Sequence, residues 1–324
     1  MSEEPIDFTK DSGDEVSAPP VRQQSWPVDG TAELEVVVDV GRIRIHLDDE
    51  VGENGGENGG EVRVEVRHDP SAGGSWAQGI SGVINWLGNL GGGVGGIDPE
   101  ALVAEAVRAA EITWSETGRR LVVRSSSELP LRVVPLAVTI SAPKRSRLSA
   151  RTGAGDVTVT GVAGWSAVRT GSGSVNVATV DGDADVTTGS GGVDLGAVTG
   201  RGRVRTGSGN IRLSSIEGAT DIKAGTGDVA ISAVSADLGV RTGSGDLRID
   251  DAKAGQLELS TGSGELRIGI HPGVAAELDL SSGSGRARSD LDVGGVAPEH
   301  LPPLRVRGRT GSGDVLVTRA AVAV

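Results

Sequence analysis

Cysteine is absent from these 324 residues, aromatic side chains make up only 2% of them, and basic residues fall short of acidic ones by 13. The first absence excludes a disulfide framework and thiolate metal centres, and is compatible with a reducing compartment. The second obliges any core to be aliphatic, because 37% of the chain is hydrophobic and almost none of that is aromatic. The third argues against general nucleic-acid binding, which calls for a basic surface, so no nucleic-acid partner is expected. A long apolar run is lacking as well. Residues 71–97 carry no charge until Asp98, but eight glycines between Gly79 and Gly96 and several polar residues interrupt them, which excludes a transmembrane span.

Glycine, by contrast, is abundant, and its placement is regular. A variant of Arg-Thr-Gly-Ser-Gly-Asp-Val occurs nine times, and the first glycines of the first six copies are Gly153, Gly171, Gly189, Gly207, Gly225 and Gly243, each eighteen positions after the last. A fixed step without helical periodicity is the mark of a stacked-coil solenoid, in which neighbouring coils bury each other's apolar edge. The last three copies begin at Gly262, Gly283 and Gly311, so the step widens to nineteen, then twenty-one, then twenty-eight, and insertions accumulate toward the C-terminal end. Nine such rungs would make a rod of about 40 Å.

Within one repeat the pattern has period two, which puts every second side chain of a short strand on one face. Val157, Val175, Val193, Ile211, Val229, Leu247 and Leu266 form one inward column. Val159, Val177, Leu195, Leu213, Ile231, Ile249 and Ile268 form a second. Val162, Val180, Val198, Ile216 and Val234 make a third, and Val168, Val186, Val204, Ile222, Val240, Leu259 and Leu280 a fourth just before the Arg-Thr corner. Each coil therefore carries two short strands. The Gly-Ser-Gly corner follows from the need to reverse direction within a few residues, since glycine reaches positive φ without penalty. A few buried aliphatics do not offset the entropy of ordering one isolated coil, so stability must come from the stack.

The expected organisation has three parts: a disordered acidic tail over 1–28, an N-terminal β region over 29–150 with a helical insertion at 71–114, and solenoid repeats over 151–324. The tail is rich in Glu, Asp, Ser and Pro. Met1 to Pro20 has neither a basic n-region nor an apolar h-region, so a cytoplasmic location, with membrane association through the insertion left open, is the expectation. Two strands follow, one through Leu34, Val36, Val38 and Val40 and one through Ile43, Ile45 and Leu47, with further strands at Val62–Val66, 121–123 and 133–140. In the insertion, Ile80, Val83, Ile84, Leu87 and Leu90 recur at helical spacing beside Trp76 and Trp86. A second stripe runs Val103, Ala106, Val107, Ala110 and Trp114 behind Asp98 as N-cap and Pro99 at the first helical position. Two readings stand for these stripes: a cap over the open end of the solenoid, or a face for a membrane or a partner.

Residues that would carry chemistry are scattered. His46, His68, His271 and His300 show no metal-ligand spacing and no nucleophile nearby, so neither a catalytic nor a metal site is expected, and no cofactor. The corner serines Ser172, Ser190, Ser208, Ser244, Ser263, Ser284 and Ser312 recur on successive rungs, which is the behaviour of a structural residue. Calcium-binding nonapeptides build turns of the same length, but here Asp156, Asp228, Asp246 and Asp314 follow glycine directly, and other copies carry Ser174, Gly192, Asn210, Glu265 or Arg286, so no regular oxygen cage results. The one candidate surface is a basic ladder beside the corner: Arg151, Arg169, Arg205, Lys223, Arg241 and Arg309, all outward by strand parity, with Trp76 and Trp86 of the insertion as further candidates. Stacked like charges repel. Either Asp183, Asp185, Asp237 and the corner aspartates neutralise them, or an anionic partner such as lipid headgroups or an acidic protein face does.

The Arg-Thr-Gly-Ser-Gly-Asp-Val rungs, preceded by Val40-Gly41-Arg42-Ile43-Arg44-Ile45 and by the strand Leu136 to Pro143, resemble the bacterial "putative adhesin" β-strand-repeat family, the Toastrack domain. The resemblance spans residues 31–324. It implies an all-β fold, a parallel β-helix or solenoid of about 18 residues per coil. It also implies a module without enzymatic activity, often found with membrane-stress components. The favoured reading is a scaffold that binds a protein partner, with peripheral membrane contact as a further option. An exported surface adhesin and a β-helical carbohydrate-active enzyme are the alternatives. Cell fractionation discriminates the first of these, and turnover on a glycan panel the second.

Overall fold

A computed structural model of the chain describes residues 20–48, 60–72, 99–291 and 302–321. Each repeat forms one coil of two strands, and successive coils pair in parallel to build two facing sheets. The regular part runs from β7 (Arg147–Ala154) and β8 (Val157–Ala163), through β9 to β16 within residues 165–234, to β17 (Leu238–Ser244) and β18 (Leu247–Ala252). Odd-numbered strands here form sheet I and even-numbered ones sheet II. The columns read from the sequence coincide with the ladders. Val157, Val175, Val193, Ile211, Val229, Leu247 and Leu266 are mutual neighbours in register, and all are fully buried.

The third column needs one correction. Val162 is only half-buried, and Val180 lies opposite Ala163 instead. Gly161, at φ +78°, places one extra residue in β8 and shifts the register between Val177 and Thr179. This is the effect of a β-bulge.

Both ends depart from chain order. β2 (Glu33–Asp48) is a single strand of 16 residues where two were expected; it bends at Gly41 and belongs to both sheets. Its first half lies between β7 and β5 (Arg120–Arg124), its second between β8 and β6 (Leu136–Pro143). The coil β5–β6 thus sits outside β2 although it comes later in sequence. At the far end, β19 (Gly255–Ser263) and β20 (Leu266–Ile270) pair with β23 (Leu304–Ser312) and β24 (Val315–Arg319). The coil of β21 (Ala276–Ser282) and β22 (Ala287–Ser289) lies beyond them. The long steps before Gly283 and Gly311 supply the chain needed to pass one rung and return. Burial follows the same order, since Leu304 and Val306 are fully buried whereas Leu278 and Leu280 at the terminal rung are half-buried. Among the described residues eleven coils result instead of nine, a stack of about 48 Å at the usual strand spacing.

Antiparallel strands close the N-terminal end. β3 (Gly60–His68) pairs with β6, β1 (Val21–Val28) with β3, and β4 (Glu111–Ser115) with β5. The helix α1 (Pro99–Ala109) packs Leu102, Ala106 and Val107 against this end. A guanidinium caps its C-terminus: Arg22 donates to the carbonyls of Arg108, at 2.7 Å, and Ala110. Two expectations are corrected here. The tail predicted to run to residue 28 gives way to β1 at Val21. Its polar side chains face water on an edge strand, and backbone pairing with β3 orders a stretch that composition alone reads as a tail. The stripe predicted to carry Trp114 ends earlier, because the helix stops at Ala109 and Trp114 belongs to β4. There it stacks on Trp26 of β1, with ring centroids 5.6 Å apart, bridging the edges of the two sheets. The second stripe is therefore a cap. The first, Ile80 to Leu90 with Trp76 and Trp86, lies outside the described residues.

Candidate interaction surface

The corners owe their shape to two polar residues that serve the stack. In the Arg-Thr-Gly-Ser motif the threonine points inward, and its hydroxyl donates to the carbonyl two residues on: Thr170 to Ser172 (3.0 Å), Thr206 to Ser208 (3.0 Å), Thr261 to Ser263 (3.0 Å). Thr170, Thr261 and Thr310 also reach the corner carbonyl of the neighbouring coil, Gly155, Gly245 and Gly264 respectively. The corner aspartates face the opposite way along the stack. Asp156 accepts the N–H of Ser174 (2.8 Å), Asp228 that of Asp246 (2.9 Å), Asp246 that of Glu265 (2.8 Å) and Asp314 that of Arg286 (2.8 Å). Asp183 and Asp237, at the other corner, likewise accept the N–H of Arg201 and Gln256 (both 2.8 Å). These carboxylates satisfy backbone donors of the adjacent coil, which is where strand pairing breaks off.

They consequently do not neutralise the basic ladder in the way the sequence suggested. Arg151, Arg169, Thr187, Arg205, Lys223, Arg241, Ser260 and Arg309 occupy one continuous row on the outer face of sheet I, each opposite the next. All five arginines are exposed, and Lys223 is half-buried. Lys223 reaches Asp221 at 3.5 Å and Arg309 reaches Asp279 at 3.9 Å. Arg151, Arg169, Arg205 and Arg241 have no ion pair among the described residues. Adjacent rungs put the Cα atoms of neighbouring ladder residues about 4.8 Å apart, and at that spacing like charges oppose one another even in a polar surrounding. Thr187 and Ser260 interrupt the run and lessen the repulsion.

Toward both ends of the same face, arginine is consumed internally. Arg124 (2.8 Å) and Arg120 both bond Glu35, and hydrogen bonding to these two guanidinium groups holds its carboxyl below the usual carboxylate range. Arg305 and Arg307 pair with Glu277 and Asp279 of the terminal rung, both at 2.9 Å. By contrast, the four ladder arginines are available cations, as is Arg203 one outward position away.

The histidines are apart from each other. His46 bonds the Thr160 hydroxyl at 2.8 Å, His271 lies 2.9 Å from Asp251, and burial lowers the pKa of His68 against an opposing pull from Asp69. His300 lies outside the described residues. Among the described residues no group of three or more His, Cys, Asp or Glu could hold a metal ion, and no helix is long and apolar enough to cross a membrane. One outward aromatic escapes the sequence reading: Trp165, half-buried at the start of β9 with Arg147 stacked 5.2 Å from its ring centroid. Strand parity was the available signal, because Ser166 beside it points inward and is fully buried.

Comparison with known proteins agrees with the architecture. No curated protein matches the chain. Among solved structures it is similar to a "putative adhesin" from Bacteroides fragilis, with 9% identity over 92% of this chain and 98% of that one and a TM-score of 0.35. A "putative adhesin" from Parabacteroides distasonis matches at 10% identity over 92% and 95%, TM-score 0.31. A "putative cell adhesion protein" from Clostridium sporogenes matches at 9% over 93% and 100%, TM-score 0.20. At these scores the likenesses carry no argument about function. The model of the Toastrack DUF4097 family matches residues 136–301, just over half of the chain, and takes in the coils that carry most of the basic ladder. This solenoid of glycine-cornered coils belongs to the Toastrack DUF4097 family.

Proposed function

We propose that the chain is a non-enzymatic β-solenoid interaction module whose outer sheet I face docks an acidic surface of a protein partner. The observation that carries this reading is the in-register row of Arg151, Arg169, Arg205 and Arg241, without internal ion pairs on a molecule whose net charge is −13. The strands that carry these positive groups need no backbone ordering on binding, and charge complementarity of this kind favours encounter rate and register. An acidic partner would also relieve the repulsion along the row.

Polyglutamate is the defined probe for the test. The native chain is expected to bind it with an affinity that falls as salt rises, and replacing the four arginines with glutamate should weaken binding at least tenfold without changing the circular dichroism. Equal binding by the two proteins refutes the reading. Binding to phosphatidylserine vesicles without binding to polyglutamate would move the partner from protein to lipid.

A further inference from the structure

Beside the ladder, the same face of sheet I is hollowed into a groove of about 540 Å³ that spans six coils, from Trp165 to Glu258. It is an open trough along the sheet and not an enclosed cavity. Three features separate it from an ordinary solvated sheet. First, Trp165 closes one end, and Arg147 stacks on its ring at 5.2 Å, so the half-exposed indole stands between a cation and the hollow. Second, Asp185 and Arg203 are direct neighbours in register, as are Arg203 and Asp221, yet none of these opposite charges forms an ion pair with its neighbour. Asp185 and Arg203 have no ion pair among the described residues and remain open toward the groove, whereas Asp221 is shared with Lys223 of the ladder at 3.5 Å. Third, the floor contains Gly239, and here the fold does not require glycine: an added Cβ would meet nothing nearer than Asp221 Oδ1 at 3.5 Å. At the Gly-Ser-Gly corners, by contrast, an added Cβ meets backbone of the neighbouring coil at well under 3 Å. The missing side chain at position 239 widens the hollow and does little else.

We propose that this groove binds a neutral, hydroxyl-rich oligosaccharide lying along the stack. Vicinal hydroxyls both donate and accept, so they match a line in which carboxylates and a guanidinium alternate, and the C–H face of a terminal pyranose suits the free side of the Trp165 ring. The charge of the lining selects against acidic polymers, since Asp183, Asp185, Asp221, Asp237 and Glu258 outnumber Arg201 and Arg203. The site is separate from the basic ladder: the ladder row is one outward position further toward the corner, and no ladder residue lines the groove. Lys223, paired with Asp221 at 3.5 Å, is the link between them, and Arg205 and Arg241 make no ion pair with a groove residue.

Calorimetric titration of the full chain with cellohexaose, chitohexaose and mannohexaose, and with polygalacturonate as the acidic comparator, tests the site. At least one neutral hexasaccharide is expected to bind in the micromolar to millimolar range. Trp165→Ala and Arg203→Ala should each weaken it tenfold or more. Gly239→Leu fills the hollow without backbone conflict and should abolish binding with the thermal midpoint preserved, which keeps the test informative if the tryptophan variant misfolds. Arg205→Glu with Arg241→Glu should leave hexasaccharide binding unchanged. The proposal is overturned if none of the three neutral probes binds, if Gly239→Leu binds as the native chain does, or if polygalacturonate is preferred and its binding depends on the ladder arginines.

Discussion

A single methyl group distinguishes two kinds of glycine in this chain. Gly209 has φ +132°, and a Cβ there would sit 2.2 Å from the carbonyl oxygen of Gly191 in the neighbouring coil. Gly239 has no such φ, and a Cβ there would make only an ordinary contact with Asp221 Oδ1 at 3.5 Å. Gly209→Ala should therefore cost about 1–3 kcal/mol from backbone strain alone, with steric displacement adding to it. Gly239→Ala should stabilise by roughly 0.5–1 kcal/mol, the usual gain on removing glycine from a strand interior. Urea midpoints at unchanged slope would measure both. At this scale the sequence is legible where a side chain acts through its own position: period two identifies the buried columns because inward and outward residues alternate along the strands of the regular coils. Roles that depend on the coil next door are not legible. Nothing in Arg-Thr-Gly-Ser-Gly-Asp announces that the threonine hydroxyl secures a carbonyl or that the aspartate reaches an amide of the following rung. The bulge at Gly161 conceals the exchange of Val162 for Ala163 for a similar reason, since one extra residue is visible only against a partner strand.

Among the elements, β2 bears the most connections, because each of its halves is flanked by strands on both sides. Glu35 stands on its outer face between Arg120 and Arg124 of β5, and their hydrogen bonds depress its pKa below the ordinary value of 4.5. A carboxylate with a lowered folded-state pKa stabilises the protein above its unfolded value, and that contribution is lost as pH falls through the folded value. Glu35→Gln should accordingly lower the thermal midpoint at pH 7, and its difference from the native chain should shrink steadily once pH drops below about 4.5. A constant difference across that range would show that packing, not charge, accounts for the loss. The arginine partners are solvent-exposed, so the effect at pH 7 should be modest. Element type was readable for the coils, where corner glycines punctuate every strand, but not for β1 or β4. An edge strand with polar side chains has no compositional signature, and the apolar spacing of α1 happens to continue to Trp114 beyond the helix end.

The whole molecule is a one-dimensional stack, which implies that internal coils are interchangeable units. Excising residues 209–226, one full repeat, should leave a cooperatively folded protein with a smaller denaturant slope, in proportion to the surface removed. Removing residues 302–324 deletes a segment of similar length from the terminus, a place where truncation is ordinarily well tolerated. Here it extracts β23 and β24 from between two coils, baring the rung of Leu257, Leu259 and Leu266 and detaching β21 and β22. The truncation should be the more destabilising of the two, and denaturant melts of both variants would decide. Sequence spacing announced the stack and located its irregular end, since the long steps before Gly283 and Gly311 fall where the order changes. It did not disclose the order itself, because strand pairing is a relation between segments and the repeats are nearly identical candidates for it.

The interleaved far end has a consequence for synthesis on the ribosome, where domains form from the N-terminus onward. Coils up to β20 can settle as they emerge, but the slot filled by β23 and β24 must await residues that are still inside the exit tunnel. Until residues 304–319 have emerged, β21 and β22 have no rung to lie upon, and the growing stack ends in an unsealed aliphatic edge. Insertion of β23 and β24 beside β19 and β20 is the event that closes it.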